Sequence, residues 1–164
     1  LLRSRLYISG FSLTRTPLNY GRDPLSDVGF RKWLGLTYEV MEDDRVVVSL
    51  ELNEDKVNIR DVAHGGVVAS LVDVAMGTAA AGGNYGTRKR YTVTLELKVN
   101  YLAPARGKKL TAEAKVVRGG SRTFVVECRV HTDEGEECAM ALGTFITRRR
   151  TEDDARREAE GLPR

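Results

Sequence analysis

One acid stands alone in the longest apolar run of this chain. From Gly65 to Thr87 the only charged residue is Asp73. An aspartate is almost never fully buried unless it is paired, and burying it charged is costly without hydrogen bonds. Helical spacing of three and four sets Ser70, Gly77 and Ala80 beside it, with Gly66 further along the same stripe. These neighbours are small, so something else must fill the space over the carboxylate: a second chain, a facing strand or a ligand. Asp73 is therefore either a structural acid tied to backbone or hydroxyl groups, or a base or nucleophile facing a bound molecule.

The other reactive side chains narrow the chemistry. Cys128 and Cys138 fall in strand patterns without metal-ligand spacing, and read as reduced core residues of a cytoplasmic protein. The net charge of +3 is modest for 164 residues, and no run of Lys and Arg interleaves with aromatics. A nucleic-acid partner is not expected. A mildly basic surface suits a small polyanionic substrate.

The elements that must position Asp73 can be read from periodicity. The segment from His64 to Gly83 spreads Val67, Val68, Leu71, Val72, Val74, Ala75 and Met76 round more than one face. A helix apolar on all sides is a buried helix. Its Gly and Ala content, and the polar strands after it, argue against a membrane span; Gly82-Gly83 supplies the stop. Upstream, Asp23-Pro24-Leu25-Ser26 reads as a turn into a short helix, Leu25 to Leu34, with Val28, Phe30, Trp33 and Leu34 on one face. Two alternating segments flank the acidic turn Glu42-Asp43-Asp44 and form a hairpin.

Four strand patterns follow the long helix. Their expected shared faces are Val93, Leu95, Leu97 and Val99; Leu110, Ala112, Ala114 and Val116; Phe124, Val126, Cys128 and Val130; and Met140, Leu142 and Ile146. The connections at Ala103–Gly107, Gly119–Ser121 and Asp133–Gly135 are too short for a crossover helix, so neighbouring strands are expected to be antiparallel. The reading is α+β: one long central helix wrapped by a curved antiparallel sheet of five to six strands. A helix apolar on several faces needs a sheet that curls round it or a second copy of the chain, and both are expected. Residues 1–24 are read as an N-terminal extension, 25–147 as the domain, and 148–164 as a charged tail that is helical or frayed.

At this point the residues carry a resemblance. The pattern Asn58-x5-His64-Gly65-Gly66-x6-Asp73, with Thr94 to Pro104 as a following strand that ends in an aromatic and a Pro turn, resembles the hotdog-fold acyl-CoA thioesterases of the phenylacetyl-CoA (PaaI-like) branch. It covers residues Phe30 to Thr147. One departure is visible: Asp61 stands where that branch has a Gly between the Asn and the His.

The resemblance implies an acyl-CoA thioesterase, a hydrolase whose CoA is part of the substrate and which needs no further cofactor or metal. Gly65 would offer its backbone N–H as the oxyanion donor at a helix start, where N–H groups lack partners and the dipole favours negative charge. Asp73 would be the base or nucleophile, Thr94 would hold the water, and Asn58 would contact the thioester. His64 would shape the loop. Gly66, Arg88, Arg118, Ser121 and Arg122 are the candidate contacts to CoA and its phosphates. In the family the Asn and Gly come from one subunit and the acid and hydroxyl from the other, so a homodimer is implied, with pairing of dimers into a homotetramer expected. Two other readings are a hotdog acyl-thioester hydratase or dehydratase, and a non-catalytic acyl-CoA-binding module.

Overall fold

The structure is a computed structural model and describes residues 29–83 and 88–160. The long apolar run folds as helix α2, Gly65–Ala81, 17 residues long. Gly82 ends it in the left-handed conformation, φ 67° and ψ 50°, with its N–H bonded to the Ala79 carbonyl. Eleven of the helix residues are buried, on every side except the stripe that carries Gly66, Ser70, Asp73 and Gly77.

Around α2 curls one six-stranded sheet, with strands β1 (Leu36–Met41), β2 (Arg45–Glu51), β3 (Arg90–Tyr101), β4 (Lys109–Gly119), β5 (Thr123–Thr132) and β6 (Glu137–Arg149). Their order is β1-β2-β4-β5-β6-β3, and every pairing is antiparallel. Helix α2 packs against β2, β3, β4, β5 and β6. This is the α+β hotdog arrangement that the sequence implied. Short turns make hairpins of β1–β2, β4–β5 and β5–β6. The Ala103–Gly107 connection does not: β3 pairs with β6, and β4 with β2. Three strand spacings separate β3 from β4, about 14 Å, within the reach of a seven-residue link.

Two strands depart from the expected faces. In β6 the core face is Ala139, Ala141 and Phe145, while Met140 and Leu142 are exposed. The small residues face α2 because helix and sheet approach closely there. A Cβ on Gly143 would lie 2.9 Å from the Met76 methyl and 3.1 Å from the Glu96 carbonyl oxygen. In β3 a bulge between Thr94 and Glu96 inserts Leu95 as an unpaired residue. Parity changes at that point. Leu97 and Val99 pack on the core, but Val93 and Leu95 are exposed, and Thr92 and Thr94 turn towards α2 instead.

The β4 and β5 faces are as read: Leu110, Ala112, Ala114, Phe124, Val126, Cys128 and Val130 are buried, with Val116 partly so; in β2 the alternation is lost, since every residue from Val46 to Leu50 is buried. Both cysteines are buried free thiols, and burial pushes the Cys128 thiol up to about 12. Helix α1 spans Gly29–Leu34; positions 25–28 of the expected helix, like loop residues 84–87, lie outside the described residues. Only Leu34 of α1 is buried, so Phe30 and Trp33 do not share its inward face. The strand β6 runs two residues past Thr147, and helix α3, Glu152–Ala159, is tied back by a two-pronged bond from Arg148 to Asp154. Among the described residues no helix is long and apolar enough to cross a membrane.

Candidate functional site

The carboxylate of Asp73 is half-buried and faces β3, where the Thr94 hydroxyl donates to its Oδ1 at 2.7 Å. This contact exists because the bulge turns Thr94 inward. The same re-aiming lets the Thr92 hydroxyl donate to the Gly77 carbonyl at 3.3 Å, which stitches β3 to the small stripe of the helix. A groove of about 250 Å³ follows that stripe from Asp73 and Thr94, past Gly77 and Ala81, to Arg31, Arg88 and Arg90.

Those arginines belong to a wider basic end. The register sets Arg90 opposite Arg149 and Tyr91 opposite Arg148. The guanidinium groups of Arg88 and Arg148 stack on the Tyr91 ring at 4.3 and 4.6 Å from its centre, and Arg90 stacks on Phe124 at 4.5 Å. The turn carrying Arg118, Ser121 and Arg122 lies at this end too, since Phe124 and Thr94 both pair with Phe145. All three residues are exposed, and none lines the Asp73 groove. Arg148 and Arg149 were hidden in the sequence as part of a charged tail. The only signal that could have found them was the extension of the β6 pattern past Thr147.

The other half of the predicted set surrounds the start of α2. His64 is the N-cap, at φ −60° and ψ 135°, and its Nδ1 accepts the Gly66 N–H at 3.0 Å. That occupies the Gly66 donor and ties the His64 ring to the helix start. Gly65 comes before it in the first turn, and its N–H meets no acceptor among the described residues. The Tyr101 hydroxyl donates to the Gly65 carbonyl at 2.8 Å and so pins the helix start to β3; the sequence marked Tyr101 only as the aromatic that ends the strand.

The loop before His64 is held by its own backbone. The Asn58 side-chain oxygen accepts the Arg60 N–H at 2.9 Å, and the Asn58 carbonyl accepts the Asp61 N–H at 3.0 Å. Asp61 has φ 53°, the left-handed conformation that glycine adopts freely. The replacement of Gly by Asp thus keeps the turn, since Asp is among the side chains that tolerate it. Arg106 donates to the Arg60 carbonyl at 2.8 Å across the turn. Asn58, Gly65 and Gly66 line one cavity of about 670 Å³ with Arg60, Tyr101 and Arg106.

The predicted residues thus form two groups on one chain. Asn58, His64, Gly65 and Gly66 gather at the start of α2; Asp73 and Thr94 meet midway along it, and Arg88 lies at the far end of their groove, beyond Ala81. Gly65 and Asp73 are eight residues apart on a rigid helix, about 12 Å along its axis. Among the described residues no cluster of His, Cys, Asp or Glu is placed to hold a metal.

Residues 61–139 match the model of the thioesterase superfamily. A protein of Saccharolobus solfataricus named "Putative esterase SSO1253" is 33% identical over 123 residues, which cover 73% of this chain and 77% of that protein. The chain belongs to the thioesterase superfamily. It is a hydrolase of the thioesterase and esterase type.

Within the superfamily, the medium/long-chain acyl-CoA thioesterase YigI of Salmonella typhimurium is 27% identical to this chain over 132 residues, covering 71% and 84% of the two. The E. coli PaaI protein of the phenylacetic acid degradation operon superposes with a TM-score of 0.65 at 24% identity, over 73% of this chain and 83% of its own. That likeness is one of fold. It does not single out the PaaI-like branch among the thioesterases.

Proposed function

We propose that this thioesterase hydrolyses acyl-CoA thioesters at a site shared between two copies of the chain, within the PaaI-like group. The observation that carries the reading is the separation of donor and acid. A thioester carbonyl bound at the Gly65 N–H is about 12 Å along the helix from the Asp73 of the same chain. No single reacting carbon can meet both, so the acid comes from a second copy. Edge strand β3 bears Thr94 on its inward side and has an unpaired outer edge among the described residues, which suits pairing with another copy of itself.

In this reading the Gly65 N–H stabilises the oxyanion. Asp73 of the partner, oriented by the Thr94 hydroxyl, activates water or attacks the carbonyl. Asn58 has its oxygen engaged in the turn, which leaves its amide hydrogens to meet the thioester. The basic end around Arg88, Arg90, Arg118, Arg122 and Arg148, with the Ser121 hydroxyl, supplies charge for the CoA phosphates. The name of the YigI relative supports CoA as the carrier.

Thiol release from a panel of acyl-CoAs tests the activity, with Asp73→Asn expected to lose at least a hundredfold. Mixing tests the shared site. Asp73→Asn and a variant without the Gly65 N–H are each inactive alone. Unfolded and refolded together, they regain about a quarter of wild-type activity, because half the dimers are mixed and each mixed dimer has one intact site. Activity that stays at the level of the single variants, with mixed dimers formed, sinks the shared site. Absence of turnover on every acyl-CoA, with binding retained, returns the protein to a binding module or a hydratase.

A further inference from the structure

Phe30 and Trp33 are 59% and 47% exposed, although their helix packs its next residue, Leu34, completely into the core. Their rings stack on each other, centres 5.7 Å apart and planes 16° from parallel. Together with Val57, Val67 and Ser70 they wall a groove of about 370 Å³ between α1 and the first turns of α2. The two stacked rings make a contiguous apolar patch, and such patches mark binding sites.

The groove starts one residue from Gly65, the proposed oxyanion donor. Gly66 lines both this groove and the cavity that holds Gly65 and Asn58. Two of the nearby polar groups are already engaged within the chain. The Ser70 hydroxyl donates to the Gly66 carbonyl at 2.7 Å, and His64 Nδ1 is taken by the Gly66 N–H. Asp55, at the rim, disfavours an anionic occupant. From Gly66 to Ser70 the groove runs about 6 Å along the helix, beyond the reach of an acetyl group and suited to a medium-length chain or a phenyl ring.

We infer that the Phe30–Trp33 pair recognises the acyl group, and that the preferred substrate carries an uncharged, hydrophobic acyl chain or an aryl group in this groove. The inference rests on the Gly65 reading above. It assigns specificity to two side chains outside the family pattern, and it places the acyl arm on the α1 side of Gly65, away from Arg60 and Arg106.

The test is kcat/KM for acetyl-, hexanoyl- and phenylacetyl-CoA with wild type, Trp33→Ala, Trp33→Phe and Phe30→Leu, each checked for its folding transition and oligomeric state. Losing contact with one ring lowers the hexanoyl-to-acetyl and phenylacetyl-to-acetyl ratios on the order of 10- to 100-fold in Trp33→Ala. Trp33→Phe restores most of the ratio, and Phe30→Leu lowers that for phenylacetyl more than that for hexanoyl. If Trp33→Ala does not fold, the two milder variants decide. Unchanged ratios in folded variants of an active enzyme overturn the inference and leave the Gly65 reading standing. An equal loss on all three substrates with a changed oligomeric state also overturns it, and marks the groove as a contact between copies. No turnover by wild type on any of the three removes both readings.

Discussion

Replacing Gly65 by proline removes one N–H and little else. Proline is favoured at the first position of a helix, where its missing donor has no intrahelical acceptor. It also asks the preceding residue to be extended, and His64 already is, at φ −60° and ψ 135°. The Gly65 backbone is not left-handed, and a Cβ there would meet the Tyr101 hydroxyl at 3.4 Å, an ordinary contact. The exchange also restricts the unfolded chain, which contributes about 0.4–1 kcal/mol of stability. Gly65→Pro should therefore unfold at the same temperature as wild type or slightly higher.

Catalysis should respond quite differently. Loss of one oxyanion donor costs about 2.7–4 kcal/mol, or 10²–10³ in kcat. The donor acts on charge that develops in the transition state, so KM should move little. Gly65→Ala is the control: it adds the same Cβ and keeps the N–H. The assay is steady-state thiol release for the three proteins beside their thermal unfolding curves. A folded Gly65→Pro with kcat within about tenfold of Gly65→Ala would mean that the oxyanion is held elsewhere than at the helix start.

Four further outcomes are expected. Thr94→Val removes the hydroxyl that donates to Asp73 and should lower kcat about tenfold, with Thr94→Ser close to wild type; equal rates for both would reduce Thr94 to packing. Gly143→Ala drives a methyl against Met76 and the Glu96 carbonyl and should destabilise the fold by about 1–3 kcal/mol, read from urea unfolding. The Cys128 thiol, buried and shifted up to about 12, should react with a disulfide reagent at pH 8 only as fast as the protein unfolds; a rapid burst from both cysteines would contradict the packing. Arg148 holds the Asp154 carboxyl well below the usual range. A depressed carboxyl stabilises above its unfolded pKa of about 3.9 and loses that contribution as pH falls further. The docking of α3 should therefore hold at neutral pH and loosen in acid, seen as faster amide exchange in 152–159.

The helix was legible because its apolar run is long, carries one charge and stops at Gly82-Gly83. The hairpins were legible because alternation and turn residues agree. The faces of β3 and β6 were not. In β6 the bulkier residues Met140 and Leu142 sit at the alternate positions that look like a core, yet the close approach of α2 selects Ala139, Ala141 and Gly143. In β3 the bulge at Leu95 has no composition cue, and the parity change it makes is what turns Thr94 towards Asp73. Phe30 and Trp33 fitted a helix face on paper because spacing cannot say how far a six-residue helix sinks into the core. The grouping of Asn58 with Gly65, and of Thr94 with Asp73, came from a resemblance. In the structure a hydrogen bond joins Thr94 to Asp73, while Asn58 and Gly65 meet only as walls of one cavity.

The strand order sets a timetable for synthesis. Edge strand β3 pairs only with β6 among the described residues, and Thr94 finds its register partner, Phe145, 51 positions later in the chain. A nascent chain leaving the ribosome from its N-terminus thus delivers α2 and β3 well before the strand that anchors β3 exists. Until β6 emerges, the apolar helix has β2 and then β4 and β5 to lie on, while the β3 side stays bare. Contacts this distant in sequence close slowly, and exposed strand edges invite association in the interval. The last strand made completes the wall that carries Thr94, so a chain that stalls short of β6 can hold its helix and still lack the contact of Thr94 with Asp73.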